Sequence, residues 1–510
     1  MGKKRKIILF NPQPRGYCGE DDNYVIPPMS LLAVASLVDL HGFEVKIIDA
    51  TVDKEYYHRI MEEARDALCV GVTSMTGFQI FGGLQVSKAI KEKYPDLAVI
   101  WGGYHPSIFP EQTAANPYID VAVRGQGEET FLELAKALDE RRSFEGIKGI
   151  AFRQNGRIVL NPEREFSDIN RFPATSYHLL DVKKYITLEG NQVTFGIRTS
   201  QGCPYSCGFC AELNVTKRRW SGFAASRVVE ELAYLKDNYG VNNILIYDSN
   251  FCIDVKRIRD IFQAIIEKNL QITFRFLNAR VDQIRRFDSQ LWDLLKRGGC
   301  RNFLIGFEAG DEKILSYINK QTTLEDAVEA KKILSQHGIT PSISLVLGFP
   351  FTDSQFISVK DEFFAILNLV DKIRSVDRDN LIHICNYTPY PGTALFNLAL
   401  KKGLRVPVTL EGWSEFNLTK VNVPWVPVKY TGMVDQLNKF IFPYVSNQFY
   451  VGWEKDYNGK WKWLKRQLHR LFCFTANLRL KFKFFYFPVE YKIIVFLARN
   501  KKTKRLYCCD

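Results

Sequence analysis

Three cysteines within eight residues of this chain have the spacing of a metal-binding loop. The segment Cys203-Pro-Tyr-Ser-Cys207-Gly-Phe-Cys210 follows an apolar run, Phe195–Thr199, that predicts a β-strand. Thiolates are the usual protein ligands of iron–sulfur clusters. A cubane cluster has four irons, so three cysteines leave one iron open to chelate a small molecule through its amine and carboxylate. We therefore predict that Cys203, Cys207 and Cys210 hold a [4Fe–4S] cluster.

The alternatives are a structural zinc site and three incidental cysteines. Structural zinc normally takes four ligands, and the nearest further candidates, Cys252 and His178, lie outside the motif. The chain has 11 cysteines, an odd number at irregular spacings, and it starts with only a short apolar stretch. These features argue against a disulfide framework and lead us to expect a reducing, cytoplasmic environment.

The cysteine loop belongs to a region of alternating strands and helices from Phe195 to about Pro391. Six such units predict a partial β/α barrel, in which the loops after the strands carry the chemistry. Polar residues follow several of the predicted strands, among them Asp248, Arg280 and Glu308. Each of these charges alone could simply terminate a strand, but their order after successive strands favours a shared site.

Residues 1–140 also alternate short apolar strands with amphipathic helices, which predicts a doubly wound parallel sheet. Ligands of such sheets bind beyond the carboxyl ends of the strands. The turns there contain Gly102, Gly103, His105, Gly125 and Gly127. Composition alone leaves FMN, a nucleotide, a phosphoryl group and cobalamin as candidate ligands. The predicted fold class is therefore α/β, with this sheet preceding the barrel.

Two less regular regions complete the predicted organisation. Residues 141–194 form a connector, with a hairpin predicted around Asn155-Gly156. Residues 195–395 are assigned to the barrel, and residues 396–510 to a mostly helical C-terminal region.

The C-terminal region carries nearly all of the net charge. Lys455–Asp510 contains 15 Lys and Arg against three Asp and Glu, whereas the whole 510-residue chain has a net charge of +13. Trp461–Lys504 interleaves these cations with aromatic residues. Such a tail suits an anionic membrane surface, single-stranded nucleic acid, or a helical cap on the barrel. We favour the membrane surface and expect no nucleic acid partner, because the remaining chain is nearly neutral.

The cysteine triplet resembles the signature of the radical S-adenosylmethionine (SAM) superfamily, with Phe209 as the aromatic residue before the last cysteine. Segments after later strands are similar to motifs of the same family: Tyr247–Phe251, Asn278–Arg280, Ile305–Gly310, Val346–Pro350 and Tyr387–Thr393. The resemblance implies that Arg280 meets the SAM carboxylate, that Glu308 lies near its ribose, and that Gly348 and Pro350 flank its adenine. Asp248 stands in the family's acidic segment, where many relatives have two adjacent acids and this chain has Asp248-Ser249.

The first domain resembles the cobalamin-binding domain that one class of these enzymes carries. The similar segments are Pro27–Leu32, His41–Ala50, Gly102–Pro106 and Gly125–Thr130. The resemblance implies cobalamin near Gly102, Gly103, Gly125 and Gly127. The sequence has no D-x-H-x-x-G motif, so the corrin is expected without that lower histidine ligand. His105 could contact the cofactor, although a turn histidine satisfied by the backbone is the favoured alternative.

The resemblance implies an enzyme that cleaves SAM and transfers a methyl group from cobalamin to an unactivated carbon. We expect a hydrophobic small-molecule substrate (a lipid, an isoprenoid or a tetrapyrrole) and an electron donor such as flavodoxin or ferredoxin. Oxidative cyclisation of a tetrapyrrole and a non-catalytic cobalamin or redox sensor remain as alternatives. The expected location is the cytoplasm, with peripheral contact at the inner face of the membrane.

Overall fold

The computed structural model describes residues 5–13, 25–351, 357–416, 423–446 and 462–500. Residues 455–461 and the last ten residues, which belong to the predicted basic tail, lie outside this described part. The observed architecture confirms the predicted α/β fold class. Two sheet-based units are followed by a helical C-terminal region.

The first unit is a seven-stranded sheet with the strand order β2-β1-β3-β4-β5-β6-β7. Strands β1 to β5 are parallel, and β6 and β7 form the predicted hairpin, which joins the sheet antiparallel to β5. The sheet therefore extends to residue 160, beyond the expected end of this domain at residue 140. The strands are β1 Lys6–Asn11, β2 Glu44–Asp49, β3 Ala67–Thr73, β4 Ala98–Gly102, β5 Val121–Val123, β6 Ile150–Gln154 and β7 Arg157–Leu160.

Helices cover both faces of this sheet, as the near-continuous burial of β1, β3 and β5 requires. One face packs with α1 and α6 around Leu31 and Phe131, and the other packs with α2 and α3 around Ile60 and Ile80. The helices are α1 Met29–Leu40, α2 Tyr56–Glu63, α3 Phe78–Lys93, α4 Tyr104–Ile108, α5 Pro110–Ala115 and α6 Glu128–Asp139.

The second unit is the partial barrel, which consists of two four-stranded sheets, β13-β12-β9-β8 and β14-β15-β16-β17. The extended segment Thr273–Arg280 divides at Phe276, whose φ is +58°, into β13 and β14. A short two-stranded pair, β10 and β11, flanks the cysteine loop. The strands are β8 Thr187–Glu189, β9 Gln192–Ile197, β10 Ser200–Gly202, β11 Trp220–Gly222, β12 Asn243–Ile246, β13 Thr273–Arg275, β14 Leu277–Arg280, β15 Asn302–Glu308, β16 Thr340–Leu347 and β17 Leu381–Asn386.

The barrel helices begin where side chains satisfy the free backbone N–H groups of the first turn. Asp254 accepts from the backbone N–H of Arg257 to start α9, and Thr323 with Asp326 forms a capping box on α13. These helices are α7 Glu212–Thr216, α8 Ala225–Tyr239, α9 Val255–Glu267, α10 Val281–Ile284, α11 Ser289–Arg297, α12 Glu312–Tyr317, α13 Leu324–Gln336, α14 Val359–Val376 and α15 Ala394–Lys401.

The C-terminal region closes the exposed edge of β17. A π-helical turn, Leu437–Ile441, presents Asn438, whose side chain donates to the Ile384 carbonyl at 2.7 Å and accepts from the Ile384 N–H at 2.9 Å. This amide takes the place of a neighbouring strand. The remaining helices are α16 Leu410–Trp413, α17 Val428–Gln436, α18 Phe442–Val445, α19 Lys462–Lys481 and α20 Val489–Asn500.

Among the described residues, no helix combines the length and the apolar character needed to cross a bilayer.

Candidate active site

The cysteine loop lies between β10 and α7 and is fixed by backbone contacts. Gly202 has a φ of +86°, and a Cβ there would lie 2.1 Å from the Arg219 carbonyl oxygen, so only glycine fits. The Gly208 N–H donates to the Ile318 carbonyl at 2.8 Å, and the Leu395 N–H donates to the Gly208 carbonyl at 3.1 Å. The loop is thereby held against both sides of the barrel opening.

The three thiols of this loop are the donors that the motif assigns to an iron–sulfur cluster. Cys207 is buried, and Cys203 and Cys210 are partly exposed. Within the described ranges, no three His, Cys, Asp or Glu side chains converge closely enough for one metal ion, whereas the cysteines of a cubane each bind a different iron. Burial raises the pKa of Cys203 and raises that of Cys210 to about 12. Iron must therefore displace the thiol protons as the cluster is loaded.

Arg280, predicted to meet the SAM carboxylate, lies against the cysteine loop. Its Nη1 donates to the Cys207 Sγ at 3.3 Å, and its Nε donates to the Asp282 carboxylate at 2.9 Å. The guanidinium also stacks over the Tyr205 ring at 3.9 Å from the centroid. The buried cation thus stands beside one predicted iron ligand and donates a hydrogen bond to its sulfur.

Asp248 is almost fully buried and serves the entrance to the cysteine loop. Its carboxylate accepts four hydrogen bonds of 2.6–3.0 Å, from the backbone N–H and the hydroxyl of both Thr199 and Ser200. These bonds occupy both carboxylate oxygens. The structure therefore assigns Asp248 to holding the backbone before Cys203, and its predicted place in the cofactor site stays a prediction.

Glu308 ends β15 in a strained conformation, with a φ of +68°. Its carboxylate accepts from the Lys320 ammonium at 2.8 Å, and both side chains are buried. The Lys320 carbonyl in turn accepts from Arg280. Lys320 thus connects the two charges predicted to lie near SAM, and it occurs in none of the recognised motifs.

The segment predicted to lie near adenine is held from two sides. Gly348 has a φ of +95°; its N–H donates to Glu362 Oε1 at 3.0 Å, and its carbonyl accepts from the Trp425 indole at 3.0 Å. Burial raises the pKa of Glu362 to about 8. The Pro350 carbonyl accepts from the Tyr317 hydroxyl at 2.7 Å.

The cysteine loop reaches this segment directly, because the Phe209 and Phe349 rings lie 5.6 Å apart between centroids. The aromatic residue of the cysteine motif thus links the predicted cluster site to the predicted adenine site.

The glycine turns of the first sheet are joined by Ser107, which the sequence analysis did not single out. The Ser107 hydroxyl donates to the Gly103 carbonyl at 2.6 Å and accepts from the Gly125 N–H at 2.9 Å. Gly103 has a φ of +103°, and a Cβ there would lie 2.8 Å from the Ser74 carbonyl oxygen. A Cβ on Gly125 would meet nothing within 4 Å, and one on Gly102 only a side chain at 3.8 Å. Gly102, Gly103 and Gly125 form an open, polar surface that fits a large planar cofactor, and we call this surface the glycine cradle. Gly127 caps α6 beside it.

His105, two residues after Gly103, is packed among aromatic side chains. It is completely buried, with its ring 5.5 Å from Phe109 and 5.8 Å from Trp413 between centroids. Its Nδ1 lies 3.2 Å from the Thr76 hydroxyl, and burial lowers its pKa to about 3. His105 is thus neutral and buried, and its predicted contact with a cofactor stays a prediction.

The two predicted cofactor sites meet where α4 contacts α7. The Tyr104 hydroxyl, on the residue after Gly103, donates to Glu212 Oε2 at 2.5 Å. Ser249, which stands where many relatives have a second acid, donates to the same oxygen at 3.0 Å. Burial, followed by the neighbouring Glu212 carboxylate, raises the pKa of Tyr104, so its hydroxyl stays protonated and acts as the donor.

Comparison with known proteins agrees with this geometry. A model of the B12 binding domain matches residues 20–135, and a model of the radical SAM superfamily matches residues 197–363. An uncharacterized methyltransferase of Pyrococcus horikoshii is 30% identical over 407 residues, which are 79% of this chain and 84% of that relative. The anaerobic magnesium-protoporphyrin IX monomethyl ester cyclase of Synechocystis is 27% identical over 403 residues, 78% of each chain.

A solved structure shares the whole fold. The cobalamin-dependent SAM radical enzyme OxsB, with aqua-cobalamin and SAM bound, superposes with a TM-score of 0.72 over 98% of this chain and 75% of that chain. The two sequences are 18% identical, so this likeness concerns the fold alone.

The fold and the site together define a radical SAM enzyme with an N-terminal B12-binding domain. By its similarity to the Pyrococcus methyltransferase, this chain belongs to the family of cobalamin-binding radical SAM enzymes. The predicted cofactors, a [4Fe–4S] cluster, SAM and cobalamin, are thereby confirmed. Enzymes of this kind act on a small molecule and need an external reductant.

Proposed function

We propose that this enzyme methylates an unactivated carbon of a hydrophobic small molecule. The observation that carries the proposal is the meeting of the cysteine loop with the glycine cradle through Tyr104 and Glu212. When bound, the cluster and SAM supply the radical that removes a hydrogen atom from the substrate, and cobalamin supplies the methyl group. The similarity to a methyltransferase supports this reaction.

The side chains of this chain contribute orientation and electrostatics. Asp248 fixes the backbone before Cys203, and Arg280 places a positive charge beside Cys207. Glu362 and Trp425 hold the two polar groups of Gly348. Preorganised contacts of this kind keep reacting groups aligned without reorganisation during the reaction.

Transfer of isotope from methyl-labelled SAM tests the proposal. The reconstituted enzyme is incubated anaerobically with labelled SAM, a reductant, cobalamin and a total lipid extract. We expect label in one organic-soluble product, and none with the Cys203→Ala variant. Label that stays in the aqueous phase, as SAM or as methylcobalamin, would contradict methylation of a hydrophobic substrate.

Oxidative cyclisation is the second candidate, because a tetrapyrrole ester cyclase is a relative over 78% of this chain. The same incubation with a magnesium-protoporphyrin ester distinguishes the two reactions. An oxidised ring product without label would support cyclisation, whereas a labelled product supports methylation. We propose a flavodoxin or ferredoxin as the electron donor in either case.

We further propose that α19 contacts an anionic membrane surface. Five of its apolar side chains, and that of the residue after its end, lie on one face and are exposed, with Phe474 exposed by 63% and Trp463 by 70%. These six, which we call the apolar stripe, are Trp463, Leu468, Leu471, Phe474, Leu478 and Phe482. The opposite face, with Phe472, Ala476 and Leu480, packs into the barrel core. The helix thus caps the barrel and still presents an apolar surface to solvent.

Cations beside the apolar stripe favour a lipid surface over a protein groove. Arg470 and Lys481 are exposed and lie at the edge of the stripe formed by Trp463 and Phe474, within about 40° of helix rotation from them. Inserted apolar groups with flanking cations are typical of interfacial helices. A substrate dissolved in the bilayer would then be close to the enzyme.

Vesicle co-sedimentation of the full chain tests this contact. We expect binding to phosphatidylcholine–phosphatidylglycerol vesicles that weakens in salt and falls about tenfold or more in the Leu471→Glu/Phe474→Glu variant. Leu188→Glu, which changes a 71% exposed leucine on β8, is the matched control. Equal pelleting of all three proteins would contradict the proposal, as would binding of single-stranded RNA with no binding to vesicles.

A further inference from the structure

Three loops converge on one carboxylate oxygen at the junction of the two units. Tyr104 opens α4 immediately after the glycine cradle, Glu212 opens α7 two residues after Cys210, and Ser249 follows Asp248. Both hydroxyls donate to Glu212 Oε2, at 2.5 Å and 3.0 Å. A hydrogen bond to a charged carboxylate is stronger than one between two neutral groups, and the difference increases where water is excluded.

On the side of the first sheet, Tyr104 is attached to a loop with little freedom. The Gly103 backbone lies so close to Ser74 that a Cβ would not fit, and the His105 N–H donates to the Ser74 carbonyl at 3.1 Å. Ser107 then ties Gly103 to Gly125. A ligand that orders the glycine cradle therefore also orders Tyr104.

On the side of the barrel, Glu212 is attached to the cysteine loop with similar constraint. The Cys210 N–H donates to the Cys207 carbonyl at 3.1 Å, and Thr216, at the end of α7, packs at 3.2 Å from the Cβ position of Gly202. The loop from Gly202 to Thr216 is thus closed on itself. Because Glu212 and the three cysteines belong to this one closed loop, fixing the position of Glu212 also restricts the motion of the cysteines.

We propose that Tyr104 is a positioning residue that couples the cobalamin site to the cluster site through Glu212. Occupation of the glycine cradle orders the cysteine loop, and the hydrogen bond between Tyr104 and Glu212 transmits this order. The inference rests on the proposed function in one respect, namely that the glycine cradle binds cobalamin.

Hydrogen–deuterium exchange of the cluster-free full chain tests the coupling without any turnover. In the unmodified protein, added hydroxocobalamin should slow exchange of the backbone amides in residues 203–216 severalfold. Tyr104→Phe should still bind hydroxocobalamin, as followed by its absorbance, but lose this slowing. Tyr185→Phe is the matched control, because it also removes a buried tyrosine–carboxylate bond, of 3.0 Å to Asp49, at the edge strand β2.

Each outcome decides the inference. Slowing of exchange that survives in Tyr104→Phe, or that is absent from the unmodified protein despite bound hydroxocobalamin, would overturn the coupling and leave the proposed function standing. Failure of hydroxocobalamin to bind the unmodified protein would overturn both.

The loaded enzyme gives a second readout. S-adenosylhomocysteine formation requires methyl transfer across the junction, whereas 5′-deoxyadenosine formation requires the cluster side alone. Their ratio should fall about fivefold or more in Tyr104→Phe and stay unchanged in Tyr185→Phe, and an unchanged ratio in both would contradict the coupling.

Discussion

Buried charges at the ends of the barrel strands are each held by partners from other segments. Asp248 is satisfied by Thr199 and Ser200, and Glu308 by Lys320. Breaking such a pair leaves an uncompensated polar group in a region of low dielectric. Substitutions at this scale should therefore affect both stability and the geometry of the cysteine loop.

Asp248→Asn should weaken the loop before Cys203. The amide keeps one acceptor oxygen but presents N–H donors where the carboxylate accepted, so we expect a loss of about 2 kcal/mol and less iron bound per chain. Urea denaturation and iron analysis measure the two effects. Asp254→Asn is the control, because asparagine caps a helix as well as aspartate does. Equal stability and iron content in both variants would contradict this role.

Glu362 should make stability depend on pH. Because burial raises its pKa from 4.5 to about 8, the native protein keeps a proton that the unfolded chain releases. The free energy of unfolding contributed by this group therefore falls as the pH rises through that interval. Glu362→Gln should remove this fall, and denaturation between pH about 5 and about 9 should show diverging profiles. Parallel profiles would contradict the assignment.

At the scale of elements, turns and edges set where the site can form. The glycine cradle depends on backbone conformations that other residues adopt only with strain, and β17 depends on a side chain to cover its edge. The glycine cradle and the capped edge of β17 each give a prediction that can be tested against a control variant.

Alanine at the two cradle glycines should have different consequences. Gly103→Ala combines a positive φ with a contact to Ser74, so it should lower stability by about 2 kcal/mol or more. Gly125→Ala, with open space around it, should cost about 1 kcal/mol but lower hydroxocobalamin affinity, because its methyl group occupies the cradle. Thermal unfolding and absorbance titration separate the two. Undiminished cobalamin binding by Gly125→Ala would contradict the location of the cradle.

Asn438→Leu should uncover the edge of β17. It removes two hydrogen bonds to Ile384, each of which contributes about 1 kcal/mol, so a loss of about 2 kcal/mol is expected in urea denaturation. Thr431→Val, which removes only a local bond to the Val428 carbonyl, should stay within about 0.5 kcal/mol of the unmodified protein. A small effect of Asn438→Leu would show that the edge needs no cap.

At the scale of the whole molecule, the parallel strands and the cysteine loop could be predicted from the sequence, because apolar runs and cysteine spacing are properties of short segments. Contacts between distant segments could not be predicted from the sequence. Tyr104 and Glu212 lie 108 positions apart, and the local sequence around either residue does not predict that they form a hydrogen bond. The turn sequence likewise gives no sign that Phe109 and Trp413 pack against His105.

The fold places a second carboxylate beside Asp248-Ser249. The Ser249 hydroxyl donates to Glu212, which follows the cysteine loop in the chain. A carboxylate is thus present at that place although the local sequence lacks it.

The central claim is that Cys203, Cys207 and Cys210 hold a cluster that cleaves SAM. Its most direct test is anaerobic incubation of the reconstituted enzyme with SAM and dithionite, followed by quantification of 5′-deoxyadenosine. The account predicts 5′-deoxyadenosine from the unmodified enzyme and from Cys473→Ala, which changes a cysteine of α19, and none from Cys203→Ala. Formation of 5′-deoxyadenosine by Cys203→Ala at the unmodified rate, or its absence from the iron-loaded unmodified enzyme, would contradict it.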